Sequence, residues 1–173
     1  MGHDKSKYLA WRRRYQPAHI ELIIIAESPP DSGKYFYNPE GSRSEVLFRE
    51  MMKLLNETCS SKDEGLRAFQ RAGRILVDAT YEPVNDGRKE SERNKTILRD
   101  YSLLVADLLG LTPDRSVPVV LIKANVCELL EARLKADGFN VLNHGIRPPF
   151  PTYQPDKFRT DFDRILRSAP VTL

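Results

Sequence analysis

Apolar positions along this chain fall into short blocks separated by helix-periodic stretches. Ile20 to Ala26 is an isoleucine-rich run with little alternation, the pattern of a strand buried on both faces of a sheet. Arg74 to Thr80, Val117 to Lys123 and Phe139 to Asn143 read as three further strands. A short amphipathic helix over Ser6 to Gln16 carries Tyr8, Leu9, Trp11 and Tyr15, and Pro17 ends it. Helical spacing recurs from Ser44, placed as a cap, through Val46, Leu47, Met51, Leu54 and Leu55. It recurs again over Lys62 to Ala72, and over Ile97 to Leu109 with Gly110 as the stop. Val126 to Ala136, closed by Asp137-Gly138, and Pro155 to Arg167 complete the set. Strand and helix alternate throughout. The expected fold is α/β: a three-layer α/β/α sandwich around a central four-stranded, mainly parallel sheet.

With 173 residues, the chain suits a single domain spanning 1–173. A net charge of +3 points to no partner unless the charge gathers on one face. Cys59 and Cys127 are too few for a zinc cage or an iron–sulfur cluster, and read as buried, inert thiols. The first residues are polar, with Arg12, Arg13 and Arg14 after Trp11, which is unlike a secretory signal. No apolar stretch approaches the length of a membrane span. A cytoplasmic, monomeric protein without membrane association is the expectation.

In parallel sheets, ligands bind at the carboxyl ends of the strands. The loops after the first, second and fourth strands have unusual compositions. Loop one carries Glu27, Ser28, Pro29 and Pro30, then Lys34, Tyr35, Phe36, Tyr37 and Asn38. Its prolines stiffen the backbone where the strand ends, so a carboxylate there is held still. The bland alternative is a surface turn with aromatics tucked into the core. A phosphate loop fails on spacing: Ser28 stands where the leading glycine belongs, and Tyr35 follows Gly33-Lys34. Asp78, near the end of strand two, can read a ligand's N–H groups or cap a turn. Loop four opens with His144-Gly145, and this histidine either donates a hydrogen bond to developing charge or satisfies a backbone carbonyl. His19 belongs to the opposite end of the sheet, and His3 falls in what reads as a frayed start. Arg88, Lys89, Arg93, Lys95 and Arg99 form a basic cluster, either a solvated face or phosphate contacts. A Ser28–His144–Asp78 hydrolase triad lacks its nucleophile elbow, and Glu27, Asp78 and His144 lack metal-ligand spacing.

Taken together, these segments resemble the uracil-DNA glycosylase superfamily over about Ile20 to Leu166. Ala26-Glu27-Ser28-Pro29-Pro30 is similar to the first motif, which reads Gly-Glu-Ala-Pro-Gly in the thermophile-type branch. Tyr35-Phe36-Tyr37 sits where those enzymes place the aromatic that stacks on the base. Ile75 to Pro83 is similar to the strand ending in a base-reading asparagine, with Asp78 in its place. His144 is similar to the start of the second motif, though an alternative register puts that motif at Thr152-Tyr153-Gln154-Pro155. Ser28 stands where the best-known branch has an aspartate, and the cluster-binding cysteines of the thermophile-type branch are absent. The resemblance implies hydrolysis of the N-glycosidic bond of uracil or a related deaminated base in single- or double-stranded DNA, without cofactor or metal. It implies Glu27 and His144 as catalytic residues and Ser28, Tyr35, Phe36 and Asp78 around the base. Arg88, Lys89 and Arg147 would lie on phosphates. The same fold also suits an inactive nucleic-acid or nucleotide-binding protein, and Ser28 leaves open a small-molecule hydrolase.

Overall fold

The computed structural model describes residues 5–169, so His3 lies outside the described part. Helix α1 (Lys5–Arg14) leads into β1 (Leu22–Ala26), followed by α2 (Val46–Leu54), α3 (Lys62–Arg71) and β2 (Arg74–Asp78). Then come α4 (Glu90–Arg99), α5 (Tyr101–Leu111), β3 (Pro118–Leu121), α6 (Ala124–Ala136), β4 (Asn140–Val141) and α7 (Pro155–Arg167). The strands form one sheet in the order β2-β1-β3-β4, and every pairing is parallel. The expected three-layer α/β/α sandwich is the fold observed, with a wholly parallel sheet.

Burial explains why the strands read as apolar runs. All residues of β1 and of β2 are buried. Alternate side chains of β1 enter two separate cores. Leu22, Ile24 and Ala26 meet the aromatics of loop one and helices α2, α3 and α7. Ile23 and Ile25 meet α4, α5 and α6. β1 is therefore central, and the chain leaves it toward β2 over one face and returns to β3 over the other. This reversal puts a topological switch point between β1 and β3, at their carboxyl ends.

Three local expectations change. Ser44 does not cap α2, because Glu45 occupies the N-cap position without a side-chain hydrogen bond. Asp100 breaks the long helical segment into α4 and α5, and Gly110 lies inside α5 rather than ending it. The fourth strand is only Asn140–Val141. Beyond it the buried Asn143 side chain continues the sheet in place of backbone. Its amide accepts from the Leu121 N–H at 2.8 Å and donates to the carbonyls of Leu121 and Ile146, each at 2.9 Å. At the opposite edge the buried Tyr37 hydroxyl accepts the Leu76 N–H at 2.7 Å, closing part of an otherwise free strand edge.

Asn143→Ala strands buried backbone groups of β3, and is expected to lower stability by about 2–4 kcal/mol in urea denaturation. An unchanged midpoint would show that Asn143 does not carry this end of the sheet.

Candidate functional site

Glu27 is the first residue beyond β1, and its main chain is clamped from both sides. The Ile122 N–H donates to Ile25 O at 3.0 Å, the Ala79 N–H to Ala26 O at 2.8 Å, and the Thr80 N–H to Glu27 O at 3.1 Å. The residue is only 6% exposed. Its carboxylate is gripped by groups from two further elements. Lys123 Nζ donates to Oε2, Asn125 Nδ2 donates to Oε1 at 2.7 Å, and the Arg93 guanidinium pairs with Oε1 at 3.4 Å. A buried charge is tolerated only when paired and hydrogen-bonded. Here one carboxylate meets two cations, and Arg93 also pairs with Glu90 at 3.7 Å.

The cluster is also costly in other ways. Lys123 has φ +77, a left-handed conformation that costs a non-glycine residue about 1–3 kcal/mol. Its N–H is held by Pro148 O at 3.0 Å. Asn125 Oδ1 is buried without a hydrogen-bond partner among the described residues. Strain and unsatisfied polar atoms concentrate at functional sites rather than in structural cores.

Glu27 borders a cleft of about 900 Å³, which Lys34, Tyr35, Phe36, Asp78, Arg93 and Lys123 also line. Phe36 is buried edge-on to Tyr37 and Phe69, with centroids at 5.0 and 5.1 Å. Tyr35 is buried between Tyr8 and Trp11 of α1. The buried Lys62 ammonium fixes this loop, donating to Tyr35 O at 2.8 Å and to Glu45 at 2.6 Å. The Tyr35 hydroxyl donates to Asp78 Oδ2 at 3.2 Å. Asp78 is 3% exposed. Burial pushes its carboxyl up to about 7, against the Tyr35 hydrogen bond and the Arg12 charge, with Asp107 adding to the rise. On its other side lies a second hollow of about 650 Å³, lined by α1 and α5. Arg12 closes that side with a bidentate pair to Asp107 at 2.6 and 2.7 Å.

The structure thus brings Glu27, Ser28, Tyr35, Phe36 and Asp78 to one cleft. Ser28 Oγ faces Pro29 O at 3.2 Å and lies 3.4 Å from the Val84 N–H. His144 is exposed and does not line the cleft. The short β4 ends before it, and the chain turns there at φ +46, with the Ile146 N–H closing onto Asn143 O at 2.8 Å. Arg88 is neutralised by Asp86 and Glu82 at 2.7 and 2.8 Å. Arg147 pairs with Glu128, and Lys89 is exposed at the start of α4. Gln154 serves as the N-cap residue of α7. Cys127 is buried, and burial pushes its thiol up to about 12, in keeping with an inert role. Among the described residues no three His, Cys, Asp or Glu side chains gather as metal ligands do, and no helix is long and apolar enough to cross a membrane.

Lys123 and Asn125 were not legible as site residues. They follow β3, whose loop has an ordinary composition, and only the strand order places them beside Glu27. A lysine and an asparagine directly after an apolar strand were the available signal. Comparisons with protein-family models, curated proteins and solved structures return no match.

The raised Asp78 value has a consequence for stability. An unfolded carboxyl loses its proton near pH ~4, while the native one keeps it to about 7. Across that interval the native state binds the extra proton, so this group's contribution to stability falls as pH rises. Asp78→Asn removes the penalty. It is expected to stabilise the protein by roughly 2–4 kcal/mol at pH 8 and little at pH 4. Urea denaturation at both pH values checks this, and a pH-independent difference would contradict it.

Proposed function

We propose that the chain is a divergent uracil-DNA glycosylase-like enzyme, which takes a nucleotide into the cleft and hydrolyses its N-glycosidic bond. One observation carries the reading: a buried, rigidly held carboxylate, Glu27, stands at the switch point of the sheet and borders the cleft. The cleft volume of about 900 Å³ is within the range of small-ligand sites. Its aromatic and aliphatic lining suits a planar base, and Lys34, Arg93 and Lys123 offer cations to a phosphate, beside the carboxylates of Glu27 and Glu45.

Bond cleavage places positive charge on the sugar and negative charge on the base. Glu27, fixed by its neighbours, stabilises the sugar cation and orients the attacking water without reorganising. A neutral Asp78 donates one hydrogen bond and accepts another. That matches an N–H beside a carbonyl, as uracil presents at N3 and O4. An ionised Asp78 would repel the carbonyl oxygen. Bases buried in duplex DNA must be flipped out before reaching such a pocket, which makes single strands the easier substrate. Phe150 and the 92% exposed Tyr153 stand at the cleft mouth, where a neighbouring base can stack.

Single- and double-stranded oligonucleotides carrying uracil, hypoxanthine or xanthine provide the test. The wild-type chain is expected to leave abasic sites on at least one, and Glu27→Gln to slow single-turnover cleavage by roughly ten-fold or more. Equal rates would remove Glu27 from the mechanism. Binding without abasic product would make the protein a non-catalytic reader of nucleic acid.

A further inference from the structure

The departing base takes up negative charge, and the exposed His144 does not line the cleft where that charge would be met. Lys123 does line it, with its side chain one-quarter exposed (25%). An ammonium has three N–H donors. The carboxylate of Glu27 is the hydrogen-bond partner of Lys123 Nζ among the described residues, so donors remain for a ligand. The backbone gives an independent reason to regard this side chain as needed. At φ +77 glycine is the favoured residue, yet a lysine stands there under strain. Both its N–H, held by Pro148 O, and its Nζ, on Glu27, are fixed.

We propose that Lys123 protonates the departing base and recovers its proton from Glu27. This deepens the glycosylase reading and rests on it. The bond between the sugar C1′ and the base nitrogen breaks, and its electron pair leaves with the base. The Lys123 ammonium gives a proton to the base, leaving a neutral amine. Water adds to C1′ through oxygen, and its surplus proton passes to the Glu27 carboxylate. Glu27 then returns that proton to Lys123 along the hydrogen bond that already joins them. The sum is nucleotide plus water to abasic sugar plus free base, with both side chains restored. Asn125 and Arg93 hold the other carboxylate oxygen meanwhile, so Glu27 stays oriented while Lys123 is neutral.

The test compares uracil with 5-fluorouracil in otherwise identical single-stranded DNA, using single-turnover cleavage by the full chain. The fluorinated base is the better leaving group and depends less on protonation. Lys123→Gly relieves the backbone strain but takes one cation from Glu27, so urea denaturation first checks that it folds. Its cleavage of uracil should fall about 100-fold or more, and its cleavage of 5-fluorouracil at least ten-fold less than that. Lys123→Arg keeps a cation beside Glu27 but cannot release a proton. It should show the same dependence on the leaving group, which guards against a folding defect in the glycine variant. Equal losses on the two bases in both variants would make Lys123 a structural tether. A wild-type rate on uracil in either variant would also overturn its role. A wild-type chain that cuts neither base would overturn the glycosylase reading and this proposal together. Cleavage by wild type with leaving-group-independent variants would overturn the role of Lys123 alone.

Discussion

A carboxylate buried at the end of a central strand must be neutralised where it stands, and much of this molecule's arrangement follows from that requirement. Glu27 draws Lys123 and Asn125 from the β3–α6 junction and Arg93 from α4. These contacts lock together the carboxyl ends of β1 and β3, where the sheet reverses its winding. Lys123 stands in a left-handed conformation, and Asn125 Oδ1 is left without a hydrogen-bond partner among the described residues. Natural cores have cheaper ways to join two strands, since replacing a buried ion pair by apolar residues is often neutral or stabilising. A charged, strained and incompletely satisfied cluster bordering a cleft is the arrangement expected of a functional site rather than of a structural core.

The rest of the cleft follows from the aromatic loop. Tyr35, Phe36 and Tyr37 turn into the core, so loop one is anchored along its middle. Anchoring fixes the wall of the cleft and places the Tyr35 hydroxyl on Asp78. Asp78 is the second costly group, a carboxyl that burial pushes up to about 7. Its register partner on β1 is Ala26, immediately before Glu27. Two buried carboxyl groups in different surroundings therefore sit at adjacent strand ends. One is held by cationic partners, and burial pushes the carboxyl of the other up to about 7.

The elements were legible in the sequence because each answers to a local signal. Leu22 to Ala26 is uniformly apolar since both faces of β1 are covered, and Pro155 opens α7 at a position where its missing N–H is harmless. Glu27 and Asp78 could be singled out because a carboxylate closing an apolar strand is unusual by itself. The strand order could not be read, since pairing is decided by packing between distant segments. Lys123 and Asn125 therefore went unrecognised as partners of Glu27. The pairing within the basic cluster could not be read for the same reason. Glu82 and Asp86 fold back onto Arg88, and Glu82 also reaches Arg99. Gly110 read as a stop, yet α5 carries through it to Leu111. Backbone freedom permits a helix end without imposing one.

The central claim is that the charges around Glu27 are kept for function and not for stability. Replacing them together by neutral residues, Glu27→Gln with Arg93→Met and Lys123→Gly, separates the two. Urea denaturation of this triple variant is the direct measurement. The account predicts a chain as stable as wild type or more so, because desolvated charge and left-handed strain are both removed. A loss of about 3 kcal/mol or more, the cost of breaking a structural buried pair, would contradict it and make the cluster a fastening of the sheet.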